Sequence, residues 1–131
     1  MLFETRLKMI WLRIAILLIG GTLGLWLTFD GIRALVTGEY VTPKTGPYAG
    51  QLGPWAKVVG AVGLDPNSTI VKIAHVSIGV GWFFSLGGFA ARAAWGRSAL
   101  MVCSVASLWY LPVGTLIGGV TLAILSTALR R

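Results

Sequence analysis

The last third of the chain constrains the fold most, because no charged residue occurs between Ser98 and Leu129. A helix needs ~20 apolar residues to cross a hydrocarbon core of ~30 Å, and one helix over this stretch would be roughly 48 Å long. Helix tilt absorbs only part of such an excess. The length of the stretch therefore predicts a tight hairpin of two short membrane spans.

A turn signal lies near the middle of this stretch. Pro112 disfavours helical conformation at the residue before it, Gly114 can take a positive φ, and Thr115 can cap a following helix. Trp109 and Tyr110 are residue types that concentrate at the headgroup level. We expect spans over about 98–109 and 115–129, joined by a turn at Pro112 and Gly114. The alternative is one long helix kinked at Pro112, since membrane helices tolerate proline.

The composition is that of a membrane protein. Charged residues make up 11% of the chain and hydrophobic residues 56%, whereas soluble domains average ~25% charged residues. Two further apolar runs predict spans over about 10–29 and 70–91, and the first can extend to Val36. An amphipathic segment at residues 1–13 suits the membrane interface and is expected to run straight into the first span. The expected fold is a single all-α membrane domain over residues 1–131, a bundle of four transmembrane helices.

The distribution of charge favours four spans over three. Four spans place both termini and the connection between spans two and three on one side. That side then carries seven basic residues, which are Arg6, Lys8, Arg13, Arg92, Arg97, Arg130 and Arg131. The cations of the other side are offset by acids there, namely Asp30, Glu39 and Asp65. By the positive-inside rule both termini are expected in the cytoplasm. Since the cations flank spans instead of forming a stripe, no nucleic-acid partner is expected.

The loop at residues 38–69 is the only substantial segment outside the predicted spans. Pro54 suits the first position of a helix and Gly63 a C-terminal cap, so a short helix is expected between them. Trp55 and three valines share one face of it. We expect this helix to lie on the outer membrane surface or on the bundle, and the alternative is that it docks on a partner protein. Asp30 and Arg33, just before the loop, either pair at i, i+3 spacing or are solvated separately.

Small residues recur at helical spacing in three of the four predicted spans. Such faces allow membrane helices to approach closely, although glycine is also simply common in membrane helices. The predicted packing or interface positions are Gly20, Gly24, Ser77, Gly81, Ser85, Gly114, Gly118 and, in the loop, Trp55.

Little chemistry lies within the predicted spans. His75 is the one ionisable candidate, and a neutral imidazole can ligate haem iron or a pigment. A bis-histidine haem would need a second histidine, and the chain has one, so single-histidine binding of a pigment stays open beside a hydrogen-bonded interfacial histidine. The sequence shows no pattern of metal ligands and no nucleophile next to a base. We expect Cys103 to be a packing residue. We expect neither an enzyme nor a bound metal.

The turn Pro112-Val113-Gly114-Thr115, with Leu108-Trp109 before it, resembles that of small bacterial integral membrane proteins of four helices. The resemblance covers the final third of the chain. It implies four spans and a bacterial inner membrane, and it implies no activity and no binding residues.

These observations favour a non-catalytic accessory subunit that packs against larger subunits of a respiratory or photosynthetic type of membrane complex. The first alternative is a protein that binds a lipophilic ligand, such as a quinone, a lipid or a pigment, through His75. A small homo-oligomeric pore or transporter is the second alternative. It has least support, because all four acids lie outside the spans or at their ends.

Overall fold

The computed structural model describes residues 1–129, and within these residues it contains five α-helices and no β-strand. The all-α prediction is therefore confirmed. Arg130 and Arg131, which were predicted to lie on the cytoplasmic side, are outside the described residues. The helices are α1 (Leu2–Thr37), α2 (Trp55–Ala61), α3 (Thr69–Ala90), α4 (Gly96–Ala106) and α5 (Val113–Thr127).

Helix α1 is longer than the span predicted at 10–29, because the interfacial segment and the residues after Phe29 continue it without a break. It ends where Gly38 takes φ 87°, and the Gly38 N–H bonds the Ala34 carbonyl at 2.9 Å. A residue with a side chain rarely adopts this left-handed conformation, which is why glycine stands at the end of the helix.

Several glycines lie in the contact between helices α1 and α3. A Cβ atom on Gly79 would meet the Thr28 side chain and the Gly24 carbonyl oxygen, and one on Gly24 would lie 3.0 Å from the Cβ of Trp82. A Cβ on Gly31 would lie 2.9 Å from the Cβ of His75. Because glycine has no side chain, the two helix backbones pack directly on each other at these positions.

Helices α4 and α5 form a hairpin, so the chain turns back after Ala106 instead of continuing as one kinked helix. A Cβ on Gly118 or Gly114 would collide with the carbonyl oxygens of Ser104 and Ser107, respectively. The turn holds a cis peptide bond between Leu111 and Pro112. Helix α4 packs on α3 and α5 packs on α1, which closes a ring of four helices.

The four long elements alternate in direction, and the bundle therefore has two distinct ends. At one, the basic end, the Arg13 guanidinium donates to the Phe89 carbonyl near the end of α3. Arg97 likewise donates to the carbonyls of Leu125 and Leu129 at the end of α5. Cations at these positions interact favourably with the free carbonyls at helix C-termini. At the other, the aromatic end, α1 finishes, α3 begins and α4 turns into α5.

Two helices, α1 and α3, are long and apolar enough to cross a membrane, which favours a membrane protein. Helices α4 and α5 are shorter apolar helices of 11 and 15 residues. At 1.5 Å per residue they extend roughly 16 and 22 Å. The hairpin is thus shorter than α3, and the aromatic end of α3 needs another segment to cover it.

The α1–α3 contact predicts opposite effects for two glycines of α3. Gly79→Ala should lower the free energy of unfolding by about 1–3 kcal/mol, because the new methyl group overpacks the interface. Gly87→Ala is the matched control, since its Cβ would meet nothing within 4 Å, and it should be neutral or stabilise by up to ~1 kcal/mol. Unfolding in mixed dodecyl maltoside and SDS, followed by circular dichroism, measures both. Equal effects of the two variants would contradict this packing.

Candidate functional site

Five rings meet at the aromatic end and form what we term the aromatic cluster, which consists of Tyr40, Trp55, His75, Trp109 and Tyr110. The centroid of the His75 ring lies 4.6 Å from that of Trp55 and 4.9 Å from that of Tyr40. The centroids of Trp109 and Tyr110 lie 5.4 and 5.5 Å away. Edge and tilted contacts of this kind stabilise aromatic groups beyond the area that they bury.

Three separate segments bring these rings together. The Tyr40 hydroxyl donates to the Pro66 carbonyl at 3.0 Å, which ties the start of the loop to the residues before α3. Helix α2 places the Trp55 ring 5.8 Å from that of Tyr110, nearly parallel to it. Trp109 and Tyr110 come from the α4–α5 turn, where headgroup exposure was predicted. Instead, Tyr110 is buried and Trp109 is half-buried beneath the loop.

His75 is fully buried at the centre of the cluster. Its Nδ1 lies 2.8 Å from the Val71 carbonyl oxygen, and because a carbonyl only accepts, Nδ1 carries the proton. Nε2 has no hydrogen-bond partner within the described residues. The centroids of four aromatic rings lie within 5.5 Å of the imidazole centroid, so aromatic groups enclose the His75 ring. Binding of a pigment at His75 stays a prediction.

Asp30 is neither paired with Arg33 nor solvated, so both predictions for this pair are wrong. The Asp30 side chain is 2% exposed, and its Oδ1 accepts the Val41 backbone N–H at 2.7 Å. Arg33 donates instead to the Glu39 carbonyl at 2.9 Å. A buried carboxylate that accepts a backbone N–H fixes the first residues of the loop to α1.

A cavity of about 840 Å³ opens beside the aromatic cluster, between the end of α1, helix α2 and the α4–α5 turn. Its wall includes four aromatic residues, Trp26, Tyr48, Trp55 and Tyr110, and the polar side chain of Gln51. Trp26 Nε1 donates to the Tyr110 hydroxyl at 2.8 Å across this wall. The charged groups that line the cavity within the described residues are Asp30 and Lys57.

A second, smaller groove of about 300 Å³ lies on the other side of α2, and its lining is almost wholly apolar. Val58 of α2 and Val62 just after it line the groove together with Ile70 and Ala74 of α3. Val62 is exposed, although the sequence placed it on the packing face of this helix. The face predicted for α2 therefore divides between the core, which takes Trp55 and Val59, and this groove.

The predicted small-residue positions lie in three different contacts. Gly20 and Gly24 face α3, and Gly114 and Gly118 face α4. Gly81 and Ser85 approach Cys103 of α4, where the Ser85 Oγ and the Cys103 Sγ are 3.2 Å apart. Ser77, expected on the same face, is exposed. Trp55 is buried by contacts within this chain, and a contact with a partner subunit stays a prediction.

Sequence reasoning missed Trp26 and Asp30 as cavity residues and Gly79 as the closest α1–α3 contact. Trp26 lies four residues before Asp30, and this i, i+4 spacing was the available signal that both lie on one helical face. No group of three metal-ligating side chains occurs within residues 1–129.

Comparison with protein-family models, with characterised proteins and with solved structures found no match for this chain.

Tyr110, one of the two buried tyrosines of the cluster, predicts an alkaline transition. Burial raises the pKa of Tyr110 to about 12, and the hydrogen bond from Trp26 opposes part of this shift. Since an unfolded tyrosine has a pKa of ~10, the stabilisation is complete below that pH and is lost as the pH rises through 12. Tyrosinate absorbance of the detergent-solubilised protein should show a late step near pH 12 that Tyr110→Phe removes, whereas Tyr40, whose pKa is raised further by burial, ionises above this step. Complete ionisation of all three tyrosines by pH 11, with the fold intact, would contradict this.

Proposed function

We propose that this chain is a four-span integral protein of a bacterial inner membrane that binds a lipophilic molecule in the cavity at its aromatic end. The observation that carries the proposal is the composition of that cavity wall. Ligand cavities of several hundred Å³ are typically lined by aromatic and apolar side chains with few polar groups, and this cavity of about 840 Å³ fits that description.

The alternation of the helices supports four crossings. Arg13, Arg92 and Arg97 gather at the basic end, whereas the aromatic end holds the loop and the acidic residues Asp30 and Asp65. By the positive-inside rule the basic end faces the cytoplasm. The α4–α5 hairpin then enters and leaves from the cytoplasmic side, and the 38–68 segment closes the outer end over it. The cavity consequently opens at the outer membrane interface.

In this proposal His75 supports the cavity without contacting the ligand. Its ring packs against Trp55 and Tyr110, and both of these rings also line the cavity. The imidazole therefore packs behind the cavity wall and stabilises it. The sequence had suggested instead that His75 makes a polar contact with the ligand. No step of this proposal requires bond making or breaking, so binding is the activity proposed.

An accessory subunit of a larger membrane complex is the second candidate. The apolar groove between α2 and α3 favours it, because an exposed apolar surface on an ordered segment suits a neighbouring protein. Extraction from the native membrane in dodecyl maltoside separates the two candidates. A particle that contains other protein chains in fixed ratio supports the subunit, whereas this chain alone with a bound small molecule supports the binding protein.

A cavity-filling variant tests the binding function. Val113 lines the cavity at the start of α5, and Val120 of the same helix does not. Both side chains are similarly exposed, at 45% and 41%. Val113→Trp should reduce the lipophilic molecule that co-purifies from native membranes roughly tenfold, because the indole occupies its place, and Val120→Trp should leave it unchanged. Solvent extraction and mass spectrometry give moles bound per mole of protein.

Equal amounts of co-purified lipophilic molecule in Val113→Trp and Val120→Trp would show that the molecule binds outside this cavity. A wild-type protein that carries no lipophilic molecule at all would contradict the proposed function.

A further inference from the structure

The cavity contains a carboxylate in an unusual position. Asp30 lines the cavity, yet its side chain is only 2% exposed. Burial of a charge is costly unless the charge is paired or well hydrogen-bonded. One oxygen, Oδ1, accepts from Val41, and Oδ2 has no hydrogen-bond partner within the described residues. The site thus presents a largely buried carboxylate that accepts one hydrogen bond within the described residues.

The nearby cations do not neutralise this carboxylate directly. Arg33, one turn further along α1, donates to the Glu39 carbonyl. Lys72 donates to the Gly38 carbonyl at 3.3 Å. Lys57 also lines the cavity, but it lies on the exposed side of α2, where its ammonium group can extend into water.

Aromatic residues line the same space. Trp26, Trp55 and Tyr110 line the cavity together with Asp30. Trp26 lies one turn before Asp30 on α1, and the rings of Trp55 and Tyr110 are stacked with their centroids 5.8 Å apart. The negative face of an aromatic ring attracts a cation, and aromatic cages with a desolvated interior are a recurrent way to bind organic ammonium groups.

We propose that the cavity binds an organic ammonium group, held by the Asp30 carboxylate and by the faces of Trp26, Trp55 and Tyr110. The inference rests on the proposed binding function and names the chemistry of the ligand's polar end. An organic cation would supply the charge that Asp30 lacks, and its alkyl substituents would suit the aromatic wall. An anionic ligand would meet a buried carboxylate without compensation.

A pair of probes of the same shape tests the inference. Choline carries a trimethylammonium group, and 3,3-dimethylbutan-1-ol carries a neutral tert-butyl group in its place. Binding of each to the full chain in dodecyl maltoside is followed by tryptophan fluorescence and by isothermal titration calorimetry. We expect choline to bind at least about tenfold more tightly than its neutral counterpart, because only choline gains the attraction of the carboxylate and the ring faces.

Asp30→Asn isolates the charge, because its amide oxygen can still accept the Val41 N–H. In this variant the preference for choline should fall to about twofold or less, while affinity for the neutral probe stays within about threefold of wild type. Asp65→Asn is the control, since Asp65 lies in the same outer segment, accepts a backbone N–H from Asn67 and does not line the cavity. It should retain the full preference.

Should Asp30→Asn fail to fold, Trp26→Leu removes one aromatic face without touching the Val41 bond, and it should also reduce the preference for choline. Equal binding of both probes to wild type would overturn the ammonium site and leave a general lipophilic cavity. Binding of neither probe would also overturn it, while the co-purified molecule measured with Val113→Trp reports independently on the proposed function.

A third probe distinguishes two sources of the ammonium group. Dihexanoylphosphatidylcholine presents the same group on a phospholipid. A site for a lipid head group should bind this lipid more tightly than choline, whereas a site for a free solute should bind choline at least as tightly. Either order supports an ammonium site, provided that the neutral probe binds more weakly than choline.

Discussion

The packing of the Trp55 ring on His75 is the contact on which the aromatic end of the bundle depends. Helices α4 and α5 extend roughly 16 and 22 Å, so their turn stops beside His75 and leaves the N-terminal turn of α3 uncovered. Trp55 covers this gap, with its ring centroid 4.6 Å from that of His75. Without it a buried imidazole with a free Nε2 would open to solvent. The loop is therefore part of the fold, and the cavity exists because the loop folds back beside α1.

The backbone groups at the two ends of the bundle are satisfied by different side chains. Helix ends carry unsatisfied backbone groups, and at the basic end the guanidinium groups of Arg13 and Arg97 satisfy carbonyls of α3 and α5. At the aromatic end the Asp30 carboxylate satisfies a loop N–H and rings fill the remaining space. Between these ends, glycine at positions 24 and 79 lets α1 and α3 approach without side chains between them. The rigid α1–α3 pair thus positions Trp26, Asp30 and His75 for the segments that pack on it.

Hydropathy and capping residues predicted the helices well. A long apolar run that is bounded by proline, glycine or charged residues can form few structures other than a helix. Pro112 likewise predicted the turn between α4 and α5. The sequence did not reveal that the loop would enter the core, since Trp55 is equally suited to a membrane surface, a partner protein or an interior. Nor did it reveal that Asp30 would be buried, because a carboxylate at the end of a span is usually solvated. Both outcomes depend on contacts between segments far apart in the chain, which local pattern does not encode.

In the proposed arrangement the chain crosses the membrane four times, with the basic end in the cytoplasm and the cavity open to the outside. Single cysteines in a Cys103→Ser background, treated with a membrane-impermeant maleimide, measure this directly. In intact cells or spheroplasts Ala49→Cys should be labelled, whereas Thr5→Cys, Ala94→Cys and Ala128→Cys should react only after the membrane is permeabilised. Labelling of Ala128→Cys from outside would show three crossings, and labelling of Ala49→Cys and Ala94→Cys from the same side would show that α3 does not span the membrane. Either result would contradict the proposed arrangement of the cavity.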